Sequence, residues 1–164
     1  MAFSILPLDL SRWDETKRDC LVLSVFKDER PLRGAAGLAD WRLCGRLSKL
    51  VKANKVSAES REAMMLPPGR RLAFSRILWF GLGESKGYSD ERFRKDLGWI
   101  LGVIAKANIT DYALQAPGRA SGLIGARRAI EIMLDDQAIT DQPVTLIEDP
   151  AGQKDIAELL RSQR

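Results

Sequence analysis

The chain has 164 residues, of which 45% are apolar and 29% charged, and its 26 Lys/Arg against 22 Asp/Glu leave a net charge of +4. That length suits a single domain over residues 1–164 whose core needs neither disulfide nor metal, and the absence of histidine excludes Ser-His and Cys-His nucleophilic catalysis and removes the commonest zinc ligand. No apolar run is long enough to span a bilayer and no charged–apolar–small leader opens the chain, so a cytoplasmic location without membrane association is expected.

The first half is the basic one, with 15 Lys/Arg and 9 Asp/Glu up to residue 80 against 11 and 13 beyond it. In chain order, residues 3–8 read as a strand and residues 20–26 (Cys-Leu-Val-Leu-Ser-Val-Phe) as a more deeply buried one. A polar loop with Pro31 leads to a helix over residues 37–53. Its Leu43, Leu47, Leu50 and Val51 share one face, and Arg42, Arg46, Lys49 and Lys52 the other. Cys20 and Cys44, the two cysteines, are both expected to be small buried hydrophobes. Trp41 borders the apolar face of that helix and is the tryptophan to watch at an interface.

Residues 62–66 form a short strand stopped by Pro67-Pro68-Gly69. The run Arg76-Ile-Leu-Trp-Phe is a strand buried on both faces that ends in the turn Gly81-Leu82-Gly83. Ser89 is a good N-cap, with Asp90 and Glu91 where the helix dipole favours negative charge, for a helix running to about residue 107. Gly98 and Gly102 lie inside it, which implies close packing against a neighbour to offset a cost of about 1 kcal/mol each. Residues 112–116 are a strand, residues 121–136 a helix carrying an Arg127–Glu131 pair, residues 144–147 the last strand and residues 155–161 the last helix. This alternation predicts an α/β domain with helices on both faces of a largely parallel sheet.

The order of these pieces resembles the N-terminal domain of the leucyl aminopeptidase (cytosol aminopeptidase) family. The segments that carry the resemblance are Val25-Phe26, Leu38-Ala39-Asp40, Gly45-Arg46-Leu47-Ser48-Lys49-Leu50, Ala63-Met64-Met65-Leu66, the Arg-Ile-Leu-x-x-Gly-x-Gly stretch ending at Gly83, and Gly125-Ala126-Arg127-Arg128-Ala129. The resemblance covers about residues 19–147. It implies a macro-domain-like fold, a three-layer α/β/α sandwich around a mixed, largely parallel sheet. In the family a second domain follows, carrying two metal ions, a catalytic lysine and an Asn-Thr-Asp-Ala-Glu-Gly-Arg motif. None of those residues has a counterpart in this sequence, so no catalytic residue, metal ligand or cofactor is assigned.

Three loops are candidate ligand sites. Gly34, Ala35, Ala36 and Gly37 lead into a helix N-terminus, where exposed N–H groups attract anions, and macro domains grip a diphosphate in the corresponding place. Gly118, Arg119, Ser121 and Gly122 lie between a strand and a helix, where Arg119 is positioned to add a charged fork; this loop ranks first. The Gly81 and Gly83 turn ranks lower because no helix follows at once. The basic stripe of Arg42, Arg46, Lys49 and Lys52 has no interleaved aromatics, so nucleic acid is not an expected partner. The leading expectation is a non-catalytic, stand-alone relative of the family's N-terminal domain that binds a protein partner or self-associates. The alternatives are a module for ADP-ribose or another phosphate-bearing ligand, and a non-catalytic subunit of a split aminopeptidase.

Overall fold

The computed structural model describes residues 3–136 and 143–163. Its elements in chain order are β1 (Phe3–Pro7), the one-turn helix α1 (Leu10–Trp13), β2 (Arg18–Val25), α2 (Gly34–Arg42), α3 (Arg46–Lys52), β3 (Ala63–Leu66), β4 (Phe74–Gly81), α4 (Asp90–Lys106), β5 (Tyr112–Leu114), α5 (Ala126–Asp135), β6 (Val144–Glu148) and α6 (Pro150–Ser162). The strands form one sheet in the order β1-β6-β5-β2-β4-β3. Every pairing is parallel except β3 against β4, so the sheet is mixed and largely parallel as expected.

Because side chains alternate across a strand, the sheet separates two cores. Cys20, Val22, Leu78 and Phe80 point to one face, where they meet Phe93, Leu97, Ile100 and Ile104 of α4 and Ile130 and Met133 of α5, with Ile156 and Leu159 of α6. Leu21, Leu23, Ile77 and Trp79 point to the other, against Trp13, Ala39 and Leu43 and against Leu47 and Val51 of α3. The result is the three-layer α/β/α sandwich. Both faces of β2 and β4 are covered, which is why they read as near-continuous apolar runs.

Three local expectations are corrected. The helix placed over residues 37–53 is two helices, α2 and α3, because Cys44 and Gly45 both turn left-handed, at φ of 57° and 80°. The Gly45 N–H closes α2 onto the Asp40 carbonyl at 2.8 Å. The Asp40 side chain then accepts from the Ser48 N–H at 3.0 Å and from its hydroxyl, tying down the first turn of α3 in place of an N-cap side chain. Cys44 at this break is exposed rather than buried, and the Arg71 guanidinium donates to its sulfur at 3.1 Å. Gly98 and Gly102 face open space and not a neighbouring element.

The first turn of α6 lies upstream of residue 155, where Asp149 accepts from the Gly152 N–H at 2.7 Å and Pro150 opens the helix. Similarly, α5 begins at Ala126 because residues 117–125 form turns through Gly118 and Gly122, whose φ values are positive. The Ser89 cap, accepting from the Arg92 N–H at 3.3 Å, and the Arg127–Glu131 pair at 3.5 Å stand as read.

Candidate functional site

The parallel strands bring the loops after β2, β4 and β5 to one end of the sheet. From neighbouring strands, β2 leads to α2 on one face and β5 to α5 on the other. A crevice therefore opens where the connections diverge, the place where ligands bind in open α/β sheets. The Gly34–Gly37 segment and the Gly118–Gly122 segment meet here. The Gly81–Gly83 turn does not join them. A Cβ on Gly81 would lie 2.1 Å from the Glu59 carbonyl oxygen, and the Gly83 N–H donates to the Ala58 carbonyl at 2.8 Å, so this turn packs against the segment before β3.

Gly34, Ala35, Ala36 and Gly37 form the first turn of α2. The Ala35 N–H, one of the groups an anion would seek, donates to Gln115 Oε1 at 2.8 Å in a buried contact. A Cβ on Gly34 would stand 2.2 Å from that oxygen and 2.8 Å from the Ala120 methyl, and Gly34 has φ of +56°. Gln115 and Ala120 thus occupy the space in front of the helix. The gap left among Ala35, Gln115, Gly118 and Ala120 is about 10 Å³, close to the minimum for a single water.

Arg119, the expected anion fork, is engaged within the protein. Its Nε donates to Glu148 Oε2 at 2.9 Å, its Nη2 to Glu148 Oε1 at 2.5 Å and its Nη1 to the Ile124 carbonyl at 2.9 Å. The two side chains are 12% and 4% exposed, so the pair lies largely out of water. The hydrogen bonds to Glu148 hold the Arg119 guanidinium above its ordinary value. Gly122 is exposed at the tip of the loop.

Ser121 has a different partner. Its hydroxyl donates to Glu29 Oε1 at 2.8 Å, joining the loop after β5 to the loop after β2. Glu29 is 6% exposed, and its other oxygen, Oε2, is closed to solvent and has no well-formed hydrogen bond among the described residues. Burial pushes this carboxyl above its ordinary value, against the Ser121 hydrogen bond, a backbone hydrogen bond from Arg33 and the Arg33 charge. Next to it, Asp28 accepts from the Ser85 N–H at 2.9 Å and from the Ser85 hydroxyl, and these bonds hold Asp28 below its ordinary value. Asp28, Glu29, Arg33, Ser85 and Ser121 line a cavity of about 170 Å³, with Phe26 and Leu123 supplying apolar wall.

Four positions that shape this crevice were not singled out from the sequence: Gln115, Glu148, Asp28 and Glu29. The first two carried a signal, since each is the first polar residue at the end of a buried apolar run. Glu29 carried none, being one charge among several in a polar loop. Two members of the basic stripe make structural contacts: Arg42 pairs with Asp14 at 2.8 Å, and Arg46 donates to the Pro67 carbonyl at 2.8 Å. Among the described residues, no three metal-ligating side chains come together, and no helix is long and apolar enough to cross a membrane.

Residues 22–135 match the family described as the cytosol aminopeptidase family, N-terminal domain. A probable cytosol aminopeptidase of Burkholderia thailandensis is 31% identical over 140 residues, spanning 79% of this chain and 27% of its own length. One from Sulfurihydrogenibium is 24% identical over 104 residues, 63% of this chain and 21% of its own length. The chain thus spans about a quarter of the length of the curated relatives it matches. Among solved structures, a tomato leucine aminopeptidase variant superposes with a TM-score of 0.60 at 13% identity, over 98% of this chain and 35% of the other. A Trypanosoma brucei macrodomain in complex with ADP-ribose gives 0.69 at 13% identity, over 96% and 68%. At such identities these structures establish the macro-like fold alone.

Proposed function

The chain belongs to the cytosol aminopeptidase family through that family's N-terminal domain, and from this premise we propose that it acts as a non-catalytic protein-binding module. The observation that carries the proposal is Trp41, which is 74% exposed on α2 while Trp13 and Trp79 are fully buried. A large aromatic side chain left in water on a helix is the kind of anchor that interfaces bury, because tryptophan combines apolar area with few rotamers to lose. The partner is a second copy of this chain or a protein carrying the catalytic part of the family.

Light scattering on a sizing column, together with capture from lysate on wild type and on Trp41→Ser, tests this reading. Assembly or specific capture that Trp41→Ser abolishes is the expected result. A monomer at all concentrations, with no Trp41-dependent partner, would sink it. Hydrolysis of a leucine amide with added zinc or manganese is expected to stay at the blank rate, and co-expression with a catalytic half would reveal a split enzyme. An ADP-ribose-like ligand is the weaker reading, since its diphosphate would have to displace the Gln115 amide from the Ala35 N–H. Titration calorimetry with ADP-ribose is expected to give no heat.

A further inference from the structure

The layer formed by α2 and α3 carries a second feature besides Trp41. At the far end of α3 an apolar hollow of about 220 Å³ opens between that helix and the loop before α2. Pro31, Leu32 and Val51 give it an apolar wall, and Arg30 and Lys52 line it with exposed cations. Glu29 borders it as well, but is buried and bonded to Ser121. Since α3 has seven residues, about 10 Å separates the hollow from the end of the helix next to Trp41.

The charge around the hollow is one-sided. Residues 41–58 hold five cations, Arg42, Arg46, Lys49, Lys52 and Lys55, and no carboxylate. Arg42 is paired with Asp14, and Arg46 donates to the Pro67 carbonyl. Arg30, Lys49, Lys52 and Lys55 are exposed and make no ion pair among the described residues. Asp40, the one acid of α2, is taken up by Ser48.

Unpaired cations beside an apolar hollow select an occupant by sign and by shape. A second copy of this chain presenting the same face would set the lysines against their own copies, a like-charge contact that costs affinity. A nucleic-acid strand would match the charge but offers no aliphatic side chain for the hollow, and a bilayer surface is too flat to fill it. At about 220 Å³ the hollow is also smaller than the roughly 300–1,000 Å³ pockets that enclose drug-sized molecules. A protein segment brings both requirements, carboxylates for the cations and an apolar side chain for the hollow. Lys49 and Lys52 stand three residues apart on one face of α3, the spacing at which carboxylates recur on a helix laid alongside.

We propose that the α2–α3 layer docks an acidic segment of a different protein, with a leucine-like side chain in the hollow between Leu32 and Val51 and carboxylates on Arg30, Lys49 and Lys52. This docking rests on the protein-binding role proposed above and narrows the partner to an acidic one. The hollow and Trp41 lie at opposite ends of α3, so substitution separates their contributions.

The test is fluorescence anisotropy on the full chain with labelled peptides: capped Glu-Glu-Leu-Glu-Glu-Leu-Glu-Glu, the same peptide with serine for leucine, and the same peptide with lysine for glutamate. A short oligothymidylate and, by co-sedimentation, phosphatidylserine vesicles complete the set. The leucine–glutamate peptide is expected to bind with Kd below about 1 mM and to weaken as salt rises. The other two peptides and oligothymidylate should bind about tenfold more weakly or worse, and the vesicles should leave the chain in solution. Lys49→Glu/Lys52→Glu should weaken the peptide about tenfold or more. Lys154→Glu/Arg161→Glu, the same charge change at exposed positions of α6, should not. Peptide binding retained in Trp41→Ser would support the docking and remove Trp41 as the anchor, whereas Trp41-dependent self-assembly without peptide binding would keep the protein-binding role and overturn the acidic docking. The proposal is equally overturned if the serine peptide or oligothymidylate binds as tightly, if vesicles capture the chain, or if a folded Lys49→Glu/Lys52→Glu binds the peptide like wild type.

Discussion

Replacing Arg119 by Met separates two roles for this arginine, an open anion fork and one half of a buried ion pair. The geometry says the second: Glu148 receives two guanidinium bonds, at 2.9 and 2.5 Å, and the partners are only 12% and 4% exposed. Removing the cation leaves Glu148 buried with the Asp149 N–H, at 3.2 Å, as the remaining donor to its carboxylate among the described residues. Breaking a buried pair from one side typically costs about 3–5 kcal/mol. At roughly 2–4 °C per kcal/mol for a chain of this size, the melting temperature should fall by about 10 °C. Urea denaturation followed by tryptophan fluorescence should show a lower midpoint with an unchanged slope. The double variant Arg119→Met/Glu148→Leu should recover most of the loss, because the charge that the single variant strands is gone as well. A loss below about 1 kcal/mol for Arg119→Met, or a phosphate-dependent stabilisation of wild type that Arg119→Met abolishes, would refute the assignment and return Arg119 to the anion site.

Gly98→Ala and Gly102→Ala should each stabilise the protein by about 1 kcal/mol, because both sit within α4 with nothing within 4 Å of an added Cβ. Gly152→Ala, also within a helix, should destabilise it, since its Cβ would fall 2.3 Å from Glu148 Oε1; urea midpoints measure both, and a stable Gly152→Ala would count against the Glu148 packing. Glu29 is raised above its ordinary 4.5 by burial, so its contribution to stability is fully present below that pH and is lost as pH rises through its folded value. Glu29→Gln should therefore be more stable than wild type at neutral pH, with the difference vanishing towards pH 4.5, and a variant less stable at neutral pH would contradict this. Of the two thiols, Cys20 is buried and pushed up to about 12, whereas Cys44 is exposed, so iodoacetamide should label the native chain once, at Cys44, as read by peptide mass.

The strands were legible because burial on both faces writes itself as unbroken apolar runs, as in Cys20-Leu-Val-Leu and Ile77-Leu-Trp-Phe. Helix α4 was legible from its Ser89 cap and its apolar stripe. What failed was decided by tertiary contacts. The break at Cys44–Gly45 follows from the Asp40 side chain reaching Ser48 across the turn, and a residue-by-residue helical pattern does not show that. Gly98 and Gly102 read as packing glycines only because periodicity cannot say whether a helix face has a neighbour. The two candidate loops lie after β2, at the start of α2, and between β5 and α5. Their occupants, Gln115 and Glu148, come from about 80 and 29 residues away along the sequence, beyond the reach of any local motif.

The carboxyl end of a parallel sheet gathers helix N-termini whose free N–H groups must be satisfied by a ligand or by the protein itself. Here the protein supplies several of the acceptors: Gln115 for α2, Ser89 for α4 and Asp149 for α6. The arginine that would have reinforced an anion site is neutralised by Glu148. Once these donors are spoken for, the crevice offers neither the free helix N–H groups nor the free arginine fork that an anion site needs. Its wall also carries acid, the buried Glu29 beside Asp28, which its bonds to Ser85 hold below its ordinary value. What an open helix end would lend to an anion is here used within the protein.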